Sequence, residues 1–154
     1  MTRPQFIRLE FLDHGAYVRA GLLWDAAPLT CAAICEALPV DGSSHHAIYS
    51  GSECVLLLPE VLRIDPENAT SNVTRGQVAF TWMAGGSAYG VREDFAEICW
   101  FYDIDAEPRM WGGPVPVSIF ATIEGSAEDF YRVCFKMRRE GTQRLRVSVE
   151  GESS

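Results

Sequence analysis

Three stretches of this 154-residue chain bring together side chains that can move protons or grip a ligand. The first is His45-His46-Ala47-Ile48-Tyr49. Imidazole titrates near neutral pH, so either ring suits acid/base work or anion sensing, and Tyr49 adds a hydroxyl donor. On an extended segment His46 and Ile48 share one face while His45, Ala47 and Tyr49 share the other, so only one histidine accompanies Tyr49. The competing reading is a solvated loop and strand start. The second stretch is Glu97-Ile98-Cys99-Trp100-Phe101-Tyr102-Asp103, with a carboxylate at each end of a hydrophobic run. If the face of Cys99 and Phe101 points into the core, both carboxylates sit near its mouths. A desolvated Glu97 would then need a partner, and Arg92 and Arg109 are available. Asp103 reads as an ordinary ion-pair member and Glu97 as the functional candidate.

The third stretch is a pair of glycine-rich loops, AGGSAYG at 84–90 and AEPRMWGGP at 106–114. Neither is a phosphate loop: the first lacks a lysine and the second lacks the glycine spacing. Tyr89, Arg109, Met110 and Trp111 nevertheless suit a clamp for a carboxylate or planar amide, with Arg109 bidentate. The competing reading is lid packing on an apolar face. These loops leave opposite ends of the strand at 97–102, so they meet only if one folds back. The candidate ligand-binding residues are therefore His45, His46, Tyr49, Tyr89, Glu97, Arg109 and Trp111, and no catalytic role is assigned to any of them.

Other chemistry has weaker grounds. Ser43, Ser44 and Ser50 lie near the histidines without a G-x-S-x-G elbow, and Cys99 sits in a buried-looking strand where thiols are usually inert. Cys31 and Cys35 share a helix face, but structural zinc needs a second ligand cluster, so no metal and no cofactor is assigned. Five cysteines and no secretory h-region point to reduced thiols, and the sequons at Asn68 and Asn72 read as loop residues. Lysine and arginine total 13 against 21 acidic residues, a net charge of −8 that disfavours nucleic-acid and anionic-lipid partners. No apolar run approaches the roughly 18 residues of a membrane span. A soluble, cytoplasmic protein that takes a small-molecule ligand is the expectation.

The elements that must position these groups follow from period. Residues 7–11 alternate as a half-buried strand, Asp13-His14-Gly15 turns, and 16–23 returns. Asp25 reads as the cap of a helix that carries Pro28 in its first turn and ends at Pro39. Short strands follow at 46–50 and 54–58, a loop at 65–72, and further strands at 77–83, 97–102 and 115–123. The last helix reads as capped by Ser126 with Asp129 three residues on, carries a stripe of Phe130, Val133, Cys134 and Met137, and stops at Gly141. A strand with Leu145, Val147 and Val149 inward closes the domain at 149, leaving 150–154 as a polar tail.

The helices do not alternate with strands, which excludes a doubly wound α/β fold. A mostly β, closed or nearly closed antiparallel barrel of about eight strands with two helices fits, because closure removes exposed edges. The order of an opening hairpin, a helix ending in ALP, then HHAIYSG, RGQVAFTW, EICWFYD and a terminal helix-strand resembles a bacterial family of uncharacterised proteins with a cyclophilin-like barrel. The resemblance covers nearly the whole chain and implies that fold. Some cyclophilin-like domains are parts of amide- and urea-metabolising enzymes, which implies a ligand of amide or carboxylic-acid type. The FHR triplet of prolyl-isomerising cyclophilins is missing. A hydrolase or isomerase using a histidine and Glu97, or an oligomeric interaction protein, are the alternatives. The runs EICWFYD and VPVSIFATI are apolar on both faces, more than two helices can cover, and this predicts a homodimer.

Overall fold

A computed structural model describes residues 3–150. Its elements are β1 (Phe6–Phe11), β2 (Ala16–Leu22), α1 (Pro28–Ala37), β3 (Val40–His46), β4 (Glu53–Leu57) and β5 (Ala69–Thr70). They continue with β6 (Gln77–Met83), β7 (Phe95–Phe101), β8 (Arg109–Met110), β9 (Gly113–Pro114), β10 (Val117–Glu124), α2 (Glu128–Glu140) and β11 (Gln143–Glu150). Eight strands run in the order β2-β1-β11-β3-β4-β7-β6-β10, and β10 pairs back onto β2 through Ala121↔Leu22 to Glu124↔Arg19. Every pairing is antiparallel, so the sheet closes into the expected barrel. Beside it, β5 pairs with β10 at Val117, and β8 with β9 forms a separate small hairpin.

One face of each strand meets in a single core. Leu9, Val18, Val147, Val40, Leu56, Trp100, Phe80 and Phe120 supply one residue per strand, and Ile34 of α1 and Phe130, Val133, Cys134 and Met137 of α2 join them. This common face is the barrel interior. Each large side chain so buried stabilises the fold by about 1.5–3 kcal/mol. Within β3 the inward position Gly42 makes room for a neighbour: a Cβ there would lie 2.9 Å from Leu56 Cδ1.

Both helices are capped differently from expectation. For α1 the N-cap is Ala27, and Asp25 gives no cap. The free amides are instead met from far along the chain: Leu29 N and Thr30 N donate to the Glu67 carboxylate at 3.2 and 2.6 Å, and Thr30 Oγ1 donates at 2.7 Å. Leu38, held extended ahead of Pro39, ends the helix as expected. For α2 the N-cap is Ala127, so the Ser126–Asp129 box does not form. Asp129 pairs with Arg132 at 2.8 Å instead.

The strand expected at 46–50 lies earlier, at Val40–His46, because β11 pairs with it from Val147↔Val40 to Gln143↔Ser44. Its inward residues after Val40 are Gly42, Ser44 and His46, small or polar, which hid the alternation. The chain then bends at 47–52, where Gly51 has φ +70 and a Cβ would meet Asp105 O at 2.5 Å. Only glycine accepts both that backbone region and that approach. The expected loop at 65–72 carries the short β5 as well as the Glu67 cap. Glu150, read as the start of a tail, pairs with Phe6 in β11, and 151–154 lie outside the described residues.

The strand β7 is apolar on both faces, and both are covered within the chain. Ala96, Ile98, Trp100 and Tyr102 face the interior. Cys99 and Phe101 face outward and pack with Ala79, Val117 and Ile119 under Leu23, Val55, Val73 and Ala106. Trp100 and Phe101 are both fully buried, so the uncovered aromatic face from which a dimer was expected does not exist. Leu23, Val73 and Ala106 of the connecting segments, with Val55 of β4, supply the cover. Among the described residues no helix is long and apolar enough to cross a membrane.

Candidate functional site

The carboxyl groups come first, because the barrel places them where carboxylates are least at ease. The face of Cys99 and Phe101 is the outer wall, not the interior, so Glu97 lies on that wall too. Register sets Glu97 opposite Leu57 on β4 and opposite Thr81 on β6, and sets Glu53 opposite Phe101. Residues two apart share a face, so Glu53, Cys99 and Glu97 stand together on the wall. Glu53 is buried, and Glu97 keeps part of its surface exposed.

Among the described residues no arginine, lysine or histidine nitrogen comes within 4.0 Å of either group. Neither Arg92 nor Arg109 is the expected partner of Glu97; Arg109 Nη1 pairs with Glu107 at 2.6 Å. Burial first, and then the charge of Glu53, push the Glu97 carboxyl up to about 8. Burial also raises Glu53, partly offset by hydrogen bonds from the Ser50 hydroxyl and the Cys99 thiol. A carboxyl held near 8 without a neighbouring cation carries its proton at neutral pH.

Three rings converge from three loops. Trp111 lies 6.0 Å from Tyr49 and 6.1 Å from Tyr89, centroid to centroid. The two glycine-rich loops therefore do meet, with the β8–β9 hairpin folded back. All three rings are exposed, Trp111 by 66% and Tyr89 by 76%. Ser50 ties the ring loops to Glu53: its Oγ accepts from Arg109 N at 2.9 Å and donates to the Arg109 carbonyl at 3.3 Å, its carbonyl accepts from Glu107 N at 2.9 Å, and its hydroxyl also lies beside Glu53. The segment bearing Tyr49 runs into β4 at Glu53, and the segment bearing Tyr89 runs into β7 two residues before Glu97.

The histidines are elsewhere. His46 is on the inward side at the end of β3, and with His45 it lines a cavity of about 520 Å³ at the barrel mouth beside α2. His46 Nδ1 donates to the Ala47 carbonyl at 2.8 Å, because a carbonyl can only accept. Its Nε2 is then an acceptor and takes the Tyr102 hydroxyl proton at 2.6 Å. Tyr102 Oη accepts in turn from Arg138 Nε at 3.1 Å. Burial, followed by the charge of Arg138, keeps His46 below its ordinary range despite the Ala47 carbonyl. It is a neutral imidazole at pH 7.

Of the expected site residues, Tyr49, Tyr89 and Trp111 come together, whereas His45 and His46 line a separate cavity. The sequence reading missed Glu53, Ser50, Tyr102 and Arg138. Glu53 was detectable, since it opens an apolar strand in phase with Val55. Tyr102 stands inside a hydrophobic run, and Arg138 is one of several charges on the last helix.

Among solved structures, McbB in complex with tryptophan is similar over 96% of this chain, at 17% identity and a TM-score of 0.69. This chain spans 46% of McbB's length. A hypothetical protein of Archaeoglobus fulgidus, AF2241, is similar over 95% of both chains, at 18% identity and a TM-score of 0.58. At such identities the likeness concerns the fold. No curated protein matches the sequence. A family model of proteins of unknown function matches residues 11–149, and on that match the chain belongs to the DUF3830 family.

Proposed function

We propose that this chain is a small-molecule-binding domain of cyclophilin-like architecture, whose ligand is a small planar organic molecule with an amide or carboxylic-acid group. The rings of Tyr49, Tyr89 and Trp111 hold the flat body of the ligand. The protonated Glu97 and the buried Glu53, on the same wall, read the polar end. The observation that carries this reading is the carboxyl pair itself. A barrel wall built only for stability would bury apolar groups there, because two carboxyls without a cation weaken the fold. McbB's complex with tryptophan, a flat ring bearing a carboxylate, supports the ligand class. Arg109, already held by Glu107, is a rim residue in this account and not the bidentate clamp.

The test is calorimetric titration with L-tryptophan, indole-3-acetamide and benzamide. At least one should bind, and Trp111→Ala should weaken it roughly tenfold, the loss of a stacked ring contact. Absence of binding by all three up to about 10 mM, a free energy near 2.7 kcal/mol, contradicts the reading. An enzymatic reading has one specific support: a group pushed up to about 8 exchanges its proton in the physiological range, as a general acid must. Glu97 would then act without His45 or His46, which line another cavity.

A further inference from the structure

We propose that the cavity at the barrel mouth is a second, separate binding site, which seats a small organic carboxylate on Arg138. The guanidinium is fixed through two nitrogens and stands 5.8 Å from the Phe135 ring, with its remaining N–H groups unused among the described residues. Its Nε donates to Tyr102 Oη at 3.1 Å and its Nη2 donates to Ser52 Oγ at 3.1 Å, which uses two of five N–H groups. Tyr102 is itself held by His46, and His46 by the Ala47 carbonyl, so the chain of donors runs in one direction from Arg138 to the backbone. Among the described residues no carboxylate lies within 4.0 Å of Arg138; Arg3, Arg75, Arg92 and Arg139 also have none, but of these five only Arg138 lines the cavity. Asp105 acts on it only from longer range. In a chain of net charge −8, an oriented arginine left without a carboxylate is a seat for an incoming one.

The surroundings select the anion. Arg138 is the one fixed cation of the donor chain, because the neutral His46 accepts from Tyr102 and adds no charge. A single positive charge suits a monoanion better than a phosphate dianion. Buried Met137 and the side chains of Ala47 and Ile48 line the same cavity, so an apolar tail has a wall to lie against. About 520 Å³ falls within the roughly 300–1,000 Å³ of small-molecule sites.

The experiment is a titration of the full chain with benzoate, benzamide and inorganic phosphate, followed by amide and arginine Nε–H resonances. Benzoate should saturably shift Arg138 Nε and the amides of Ala47, Ile48, Gly141 and Thr142, while the neutral benzamide leaves these signals in place. Arg138→Gln, an exposed position near the end of α2, should lose roughly tenfold in benzoate affinity with the rest of the spectrum preserved. Tyr102→Phe keeps the charge but frees the guanidinium, and should lose about threefold. Trp111→Ala should leave these shifts unchanged, which separates this site from the ring cluster. The proposal is overturned if Arg138→Gln binds benzoate as the wild type does, or if benzamide gives the same shifts. Stronger shifts with phosphate than with benzoate, or no saturable shift up to about 50 mM, a free energy under 2 kcal/mol, overturn it equally.

Discussion

At the residue scale, Glu97 ties stability to pH with a definite sign. Its folded value near 8 exceeds the ordinary glutamate value, so between pH 4.5 and 8 the native state holds a proton that the unfolded chain has released. Stability therefore falls as pH rises through that window and levels off above it. Glu97→Gln stays neutral, and should melt like the wild type near pH 5 but be more stable by about 2 kcal/mol at pH 9, a value reduced for partial exposure. Glu53, raised in the same direction, leaves a smaller residual slope. Melting curves across pH check this, and equal curves at pH 9 count against a buried pair. His46 works oppositely: its folded value lies below the ordinary one, so its contribution is present above about pH 6.5 and is lost as pH falls. Glu97 was legible in the sequence because a carboxylate in phase with Cys99 and Phe101 stands out. Its lack of a cation was not, because pairing register decides which charged groups share its wall.

At the element scale, period revealed the strands with strong alternation and failed where tertiary contacts did the local work. The strand at 77–83 matches β6, since Val78 and Phe80 alternate with smaller or polar groups. The strand β3 was displaced because Asp41-Gly42-Ser43-Ser44 looks like a turn, yet β11 pairs along it. Caps failed for the same reason: Glu67 reaches α1 across 37 residues, beyond any local rule. Glu67→Ala removes three hydrogen bonds to the first turn of α1 and should cost about 1–2 kcal/mol in urea unfolding. Asp25→Ala, at the expected but unused cap, should cost less than about 0.5 kcal/mol. A reversal of that order would mean that the helix is capped locally after all.

At the scale of the whole molecule, closure and loop cover decide what the two-faced strands mean. Phe101 was expected to serve a subunit interface, but it lies beneath the chain's own loops. Phe101→Asp places a charge among Ala79, Val117 and Ile119, and should destabilise by more than about 4 kcal/mol. The loss should appear as unfolding in circular dichroism. A folded variant that merely shifts in sedimentation would restore the interface reading. The barrel also separates two groups: its outer wall carries Glu53 and Glu97, and its mouth carries the histidine–tyrosine–arginine chain. The account stands most directly on Glu97 as the proton-holding group of the wall site. Carboxyl-carbon NMR of Glu97, titrated with pH in the free protein and with the ligand that calorimetry identifies, measures this. The expected midpoint is near 8 in the free protein, with a clear displacement when the ligand is bound. A midpoint near 4.5 that the bound ligand leaves unmoved would contradict it.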